Sequence, residues 1–214
     1  MAAGVDDSCD SARVTASDRE GLEERLRAKL EPLRIRSTLA FAALYQLTHE
    51  MLKSAVLDDV KGFYGYLDVH GGVWVPEDGE QEYRRRVLDL DRKSAFRASL
   101  LWLQDAGGLD AAEVERLDAI YAHRHELTHE LGRYLIDPYY EPDVDLFVDA
   151  LRTLRKVCRF WTEIERDLGT FDDYPDLDLD DVIPSRLAVL ELCLSAYLDG
   201  LSIPEQEGAT AGSE

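Results

Sequence analysis

Residues 37–56, STLAFAALYQLTHEMLKSAV, decide the fold class. Leu39, Ala43, Leu44, Leu47, Met51, Ala55 and Val56 recur at helical steps, so they share one side of a helix expected to run from about Ser37 to Asp59. The same periodicity continues in both directions. Ser17 followed by Glu20 makes a capping-box signature for a helix running toward Pro32. A third helix is expected over about 80–105, stopping at Gly107-Gly108, and a fourth begins at Asp110 as N-cap. A fifth opens at Pro142 and runs to Gly169, with Phe147, Leu151, Leu154, Cys158, Trp161 and Leu168 on its apolar face. The last runs from near Pro184 to Gly200. Leu187, Leu190, Leu194, Tyr197 and Leu198 leave it little polar surface, which predicts central burial or pairing with another subunit.

The pattern is all-α, an antiparallel bundle of five to six helices. One segment departs from it. GFYGYLDVHGGVWVPEDGE (62–80) alternates aromatic and β-branched residues around His70-Gly71-Gly72, which predicts a small hairpin inserted near 63–76. The His-Gly-Gly run reads as a tight turn rather than an oxyanion loop, because no nucleophile elbow accompanies it. Residues 1–17 and 203–214 are small and polar and read as disordered tails around one domain spanning 18–202.

With 44 acidic and 24 basic residues the formal charge is −20. That argues against a broad phosphate-binding surface, since nucleic acid requires local cationic charge to release counterions. It leaves room for a narrow site, and it suits a basic protein partner. No apolar stretch is long enough to span a bilayer. Asp6, Asp7 and Asp10 stand where a secretory leader is basic and then apolar. Cys9, Cys158 and Cys193 are odd in number and lack ligand spacing. These features predict a cytoplasmic protein without membrane partners. FDDYPDLDLDDV (171–182) places Asp176, Asp178 and Asp180 like the first ligands of a calcium loop. Asp181 and Leu187 then stand where that loop needs Gly and Glu, so a solvated acidic linker is the expectation.

The fourth helix carries YAHRHELTHELGRYLID (121–137), which holds two frames. His125-Glu126-Leu127-Thr128-His129 spells H-E-x-x-H, whose histidines lie one turn apart on one face, as in zinc peptidases, with Glu126 between them as the general base. The third ligand is wanting, because Leu135 occupies the place of a further histidine and no histidine follows His129. Glu163 and Glu165, the downstream glutamates in the usual interval, fall late on a helix explained by core packing. The second frame begins with Arg124, a permanent charge within an apolar stripe of Val114, Leu117, Tyr121, Leu131 and Leu135. Such an arginine requires either an anionic partner, for which Glu50 is a candidate, or a wet functional cleft. The phrase LTHE recurs at 47–50 and 127–130, which places His49 and Glu50 on a helix that could pack beside this site.

Arg124, the polar His125 and His129 together form R-x(4–6)-H on a late helix of an all-helical domain, and in this the chain resembles the HEPN superfamily. The resemblance covers about residues 37–168. It departs from the commonest form, with His125 where Asn or Asp usually follows the arginine and Leu131 where some members carry Tyr. The resemblance implies a metal-independent endoribonuclease that requires no cofactor, with RNA as substrate and Arg124 and His129 as catalytic residues. His125, Glu50 and Glu126 would support them. It further implies a homodimer whose motifs meet at the interface, and a setting in toxin–antitoxin or anti-phage systems with a cognate antitoxin. Five residues on a regular helix separate Arg124 and His129 by about 140°. One straight helix therefore does not aim both at one phosphate. Two further readings stand beside this one, a non-catalytic binding module of the same fold and a zinc peptidase using His125 and His129.

Overall fold

A computed structural model describes residues 16–65, 67–69, 72–74, 78–174 and 176–202. It is a helical bundle whose described residues form eight α-helices and one short two-stranded ribbon. The helices are α1 (Ala16–Lys29), α2 (Pro32–Phe63), α3 (Gly79–Arg86), α4 (Ala95–Asp105), α5 (Ala111–His129), α6 (Leu131–Ile136), α7 (Val144–Asp167) and α8 (Ser185–Ser202). The expected tails fall almost wholly outside the described residues. Ser17 lies inside α1 rather than capping it.

The organising element is α2, which contacts α4, α5, α7 and α8. It begins earlier than the apolar pattern suggests. Pro32 opens it at the first turn, where the missing N–H leaves nothing unsatisfied, instead of merely ending α1. Because neighbours cover it from several sides, its buried residues form a wider band than one stripe. Phe41, Leu44, Tyr45, Thr48, Leu52, Ala55, Val56 and Val60 are buried, whereas Leu39, expected in the core, is 42% exposed. Tyr45 is buried without waste of its hydroxyl, which donates to Ile120 O of α5 at 3.2 Å.

The expected third helix is two helices. Asp91 accepts from the backbone N–H groups of Lys93 and Ser94, and Ser94 then caps α4 by accepting from Arg97 N. This local side-chain bonding competes with helix continuation and breaks the run. Its end is as expected. Gly107 adopts φ 81°, and Gly108 N returns to Leu103 O at 2.8 Å, the left-handed closure that glycine permits without strain. Between α2 and α3 the ribbon pairs β1 (Leu67–Val69) with β2 (Gly72–Trp74) antiparallel, with Val69 opposite Gly72. The ribbon falls where the hairpin was expected, while His70 and Gly71 lie outside the described residues.

The fourth expected helix also divides, at Glu130, into α5 and the six-residue α6. Asp110 opens α5 with a full capping box, accepting from Glu113 N while the Glu113 side chain accepts from Asp110 N. The break turns Leu131 and Leu135 off the α5 stripe. Its buried face is Val114, Leu117, Ile120, His123 and Leu127, and Tyr121 is 49% exposed.

Along α7, Phe147, Leu154 and Cys158 are buried as expected, but Leu168 lies past the helix end and is exposed. α8 is not central. It packs on α2 through one side, burying Leu190, while Val189, Leu192 and Leu198 face outward. Lys29, at the end of α1, is buried and donates to Tyr140 O at 2.7 Å and Glu141 Oε1 at 2.8 Å. The 176–181 segment is largely exposed. Asp178 caps a short 3₁₀ turn, and Asp180 pairs with Arg159 of α7.

Candidate functional site

Arg124 is a half-buried cation at the seam of α2 and α5, with 21% of its side chain exposed. Its position follows from the helical period, since it sits among the buried residues Leu117, Ile120 and Leu127 of α5. Two residues one turn apart on α2 receive it. Arg124 Nε donates to Gln46 Oε1 at 2.7 Å and Nη2 donates to Glu50 Oε1 at 3.2 Å. Gln46 Nε2 also donates to Glu50 Oε1, at 2.9 Å. The guanidinium is thus held in one orientation by a closed triangle. Among the described residues, two of its five N–H groups have partners, so it keeps donors for a further acceptor.

The anionic partner expected for Arg124 is therefore present, and it is Glu50. His49, beside Glu50 in the first LTHE phrase, also reaches the site. It is 4% exposed, its ring packs against Tyr121 at 5.3 Å, and its Nδ1 lies 3.7 Å from the same Glu50 oxygen. Nδ1 has no hydrogen-bond partner among the described residues. Burial lowers the His49 pKa below its ordinary value, and the Arg124 charge adds to that effect against Glu50. Both effects disfavour the charged imidazole. Alongside Arg124 opens a groove of about 320 Å³, with Leu39, Ala43, Gln46, Thr128 and Leu131 among its walls.

His129 does not share this position. On the regular α5 it stands about 140° from Arg124, exposed to solvent and beside His125, the two rings 4.2 Å apart. Glu126 turns a third way. Its Oε2 accepts from Tyr134 at 3.1 Å and lies 3.7 Å from His123 Nδ1. The motif residues therefore divide into Arg124 with Gln46, Glu50 and His49, the exposed pair His125 and His129, and Glu126 in a structural contact. Among the described residues no three His, Cys, Asp or Glu side chains gather as metal ligands. Among those residues the H-E-x-x-H frame thus has two imidazoles and no third donor.

Sequence reasoning missed Gln46 and His123. Gln46 is signalled only by standing one turn before Glu50. His123 is buried and accepts from Asp143 N at Nε2, 3.0 Å away, which closes the start of α7. Burial lowers its pKa as well, against the carboxylates of Asp143 and Glu126.

A second groove, of about 900 Å³, lies among α2, α7 and α8. Its charged feature is a two-pronged pair, with Arg186 Nη2 donating to Asp59 Oδ1 at 2.9 Å and Nη1 2.8 Å from Oδ2. Burial raises the Asp59 pKa despite that partner, and it pushes the nearby Cys158 thiol up to about 11. Among the described residues no helix is long and apolar enough to cross a membrane. The chain matches no known family model, no curated protein and no solved structure.

Proposed function

We propose that the chain is a HEPN-like, metal-independent endoribonuclease whose site is completed by a second copy. The observation that supports it is Arg124, a cation that cannot shed its proton, oriented by Gln46 and Glu50 at the edge of a groove with donors to spare. In RNA cleavage of this kind the 2′-hydroxyl oxygen bonds to the adjacent phosphorus and the bond from phosphorus to the 5′-oxygen breaks. The nucleophile loses a proton and the leaving oxygen gains one. A guanidinium stabilises the charge growing on the phosphoryl oxygens. His129 moves the protons. Because Arg124 and His129 diverge on α5, the arginine of one protomer works with the histidine of the other.

The test is cleavage of labelled single-stranded RNA in excess EDTA. Arg124→Ala and His129→Ala are each expected to abolish it. Mixing the two inactive variants should return about a quarter of the activity, because half of the reassorted dimers carry one intact shared site. Cleavage that survives both substitutions refutes the assignment, and a strict monomer by sedimentation refutes the shared site.

One observation favours a second reading, a binding module of the same fold. Glu50 stands 3.2 Å from Arg124 and already neutralises much of its charge, on a chain of net charge −20. On that reading the folded dimer leaves RNA intact.

A further inference from the structure

The pair His125 and His129 has no role in packing, and its geometry points to a different use. We propose that these two imidazoles form a surface chelate for one divalent transition-metal ion of the zinc, nickel or copper type. Both residues are exposed, lie on the same face of α5, and place their rings 4.2 Å apart with planes tilted by 52°. Residues at i and i+4 of a helix stack one above the other, so the backbone already holds both ligands on one side. Only side-chain rotation remains before two ring nitrogens can share an ion at about 2.0–2.1 Å. Imidazole is a borderline donor that suits zinc, nickel and copper, and it is a poor match for magnesium or calcium.

The backbone beneath the pair is secure. α5 is helical through His129, and Glu130 N still donates to Glu126 O at 2.7 Å. Arg124, the nearest fixed cation in sequence, points away toward α2, where Gln46 and Glu50 hold it. Asp118, two turns back on the same face, is engaged with Arg97 at 3.6 Å. Among the described residues no third His, Cys, Asp or Glu side chain joins the pair, so water would fill the remaining coordination positions. A site of two protein ligands is open and exchangeable, unlike the closed four-ligand sites that hold structural zinc. The net charge of −20 raises the local concentration of cations around it.

This site stands on the two imidazoles alone. A consequence for activity rests on the ribonuclease reading. A bound ion occupies a ring nitrogen of His129, which then cannot transfer a proton, so zinc would act as an inhibitor.

The experiment is calorimetric titration of the full-length, EDTA-stripped protein with zinc chloride and with nickel chloride. The double variant His125→Ala/His129→Ala provides the background for every other donor in the chain. Wild type is expected to bind one more equivalent than the double variant. Each single alanine variant should lose that equivalent, and nickel should raise the thermal midpoint of wild type alone, because the unfolded chain does not hold the one-turn spacing. Both positions are exposed, so circular dichroism should report an unchanged fold, and His129→Gln serves if alanine perturbs the helix end. Arg124→Ala should bind zinc as wild type does, even when RNA cleavage is lost, so the two proposals fail separately. Coincident titrations of wild type and the double variant overturn the chelate, whether or not RNA is cleaved.

Discussion

Acidification from about pH 7.5 to about pH 5.5 should weaken the fold through His49 and His123, which are 4% and 8% exposed. For both, burial lowers the folded-state pKa below the ordinary 6.5. Arg124 and Lys53 push His49 the same way against Glu50, whereas Asp143 and Glu126 oppose burial at His123. As pH falls the unfolded chain takes up each proton first. The contribution is complete above the ordinary value and is lost as pH drops toward the folded-state value. Each imidazole charged only in the unfolded chain costs about 1.4 kcal/mol per pH unit, so the pair gives a slope of at most about 2.7 kcal/mol per unit. That is a large fraction of a typical domain stability of about 5–15 kcal/mol.

The structural reason is clearest at His123. Its Nε2 accepts from Asp143 N, and a proton there would set two donors against each other at the start of α7. Glu141 and Glu82, whose pKa values are lowered, begin to lose their contributions only as pH falls past their ordinary 4.5, below this window. Asp59, with a raised pKa, acts in the opposite sense, because the folded chain takes up its proton first as pH falls from the raised value toward the ordinary 3.8. Urea unfolding followed by circular dichroism at fixed ionic strength reads the slope. The His49→Gln/His123→Gln protein should lose most of it. A stability that stays flat across the window, or a slope that persists in that variant, refutes the reasoning.

Two further outcomes can be checked simply. Asp110→Ala removes one half of the α5 capping box and should cost about 1 kcal/mol of stability in urea, with an unchanged m-value. Cys158 is buried with its thiol pKa pushed up to about 11, so an aromatic disulfide reagent should leave it unlabelled in the folded protein, and Cys158→Ala should not reduce the fast labelling amplitude.

The helices were legible because their apolar period and caps are local. Asp110 with Glu113, and Gly107 with Gly108, mark boundaries through contacts a few residues apart. The Asp91 and Glu130 breaks were missed. At Asp91 a short side chain bonds the backbone of the next residues, a competition that leaves the hydrophobic pattern unchanged. Leu39 was misplaced because a helix covered on several sides buries a band that no single stripe describes. At the site, the charge of Arg124 among apolar neighbours demanded a partner, and Glu50 was legible through the repeated LTHE phrase. Gln46 was not, since an amide beside a glutamate on a long helix carries no signal until α5 is docked against it. The divergence of Arg124 and His129 followed from helix geometry alone.

Lys29 and α2 also bear on how the chain is made. α1 is fixed by a bond from Lys29 to the carbonyl of Tyr140, 111 residues downstream, and the main neighbours of α2 include α7 and α8. On a ribosome those partners emerge after α2, so Phe41, which packs on Phe147 of α7 and Tyr197 of α8, stays without them until both helices are made. Contacts of such long sequence separation slow folding and leave apolar surface open to chaperones or to other nascent chains. The helix that organises the core is made before the helices that cover it.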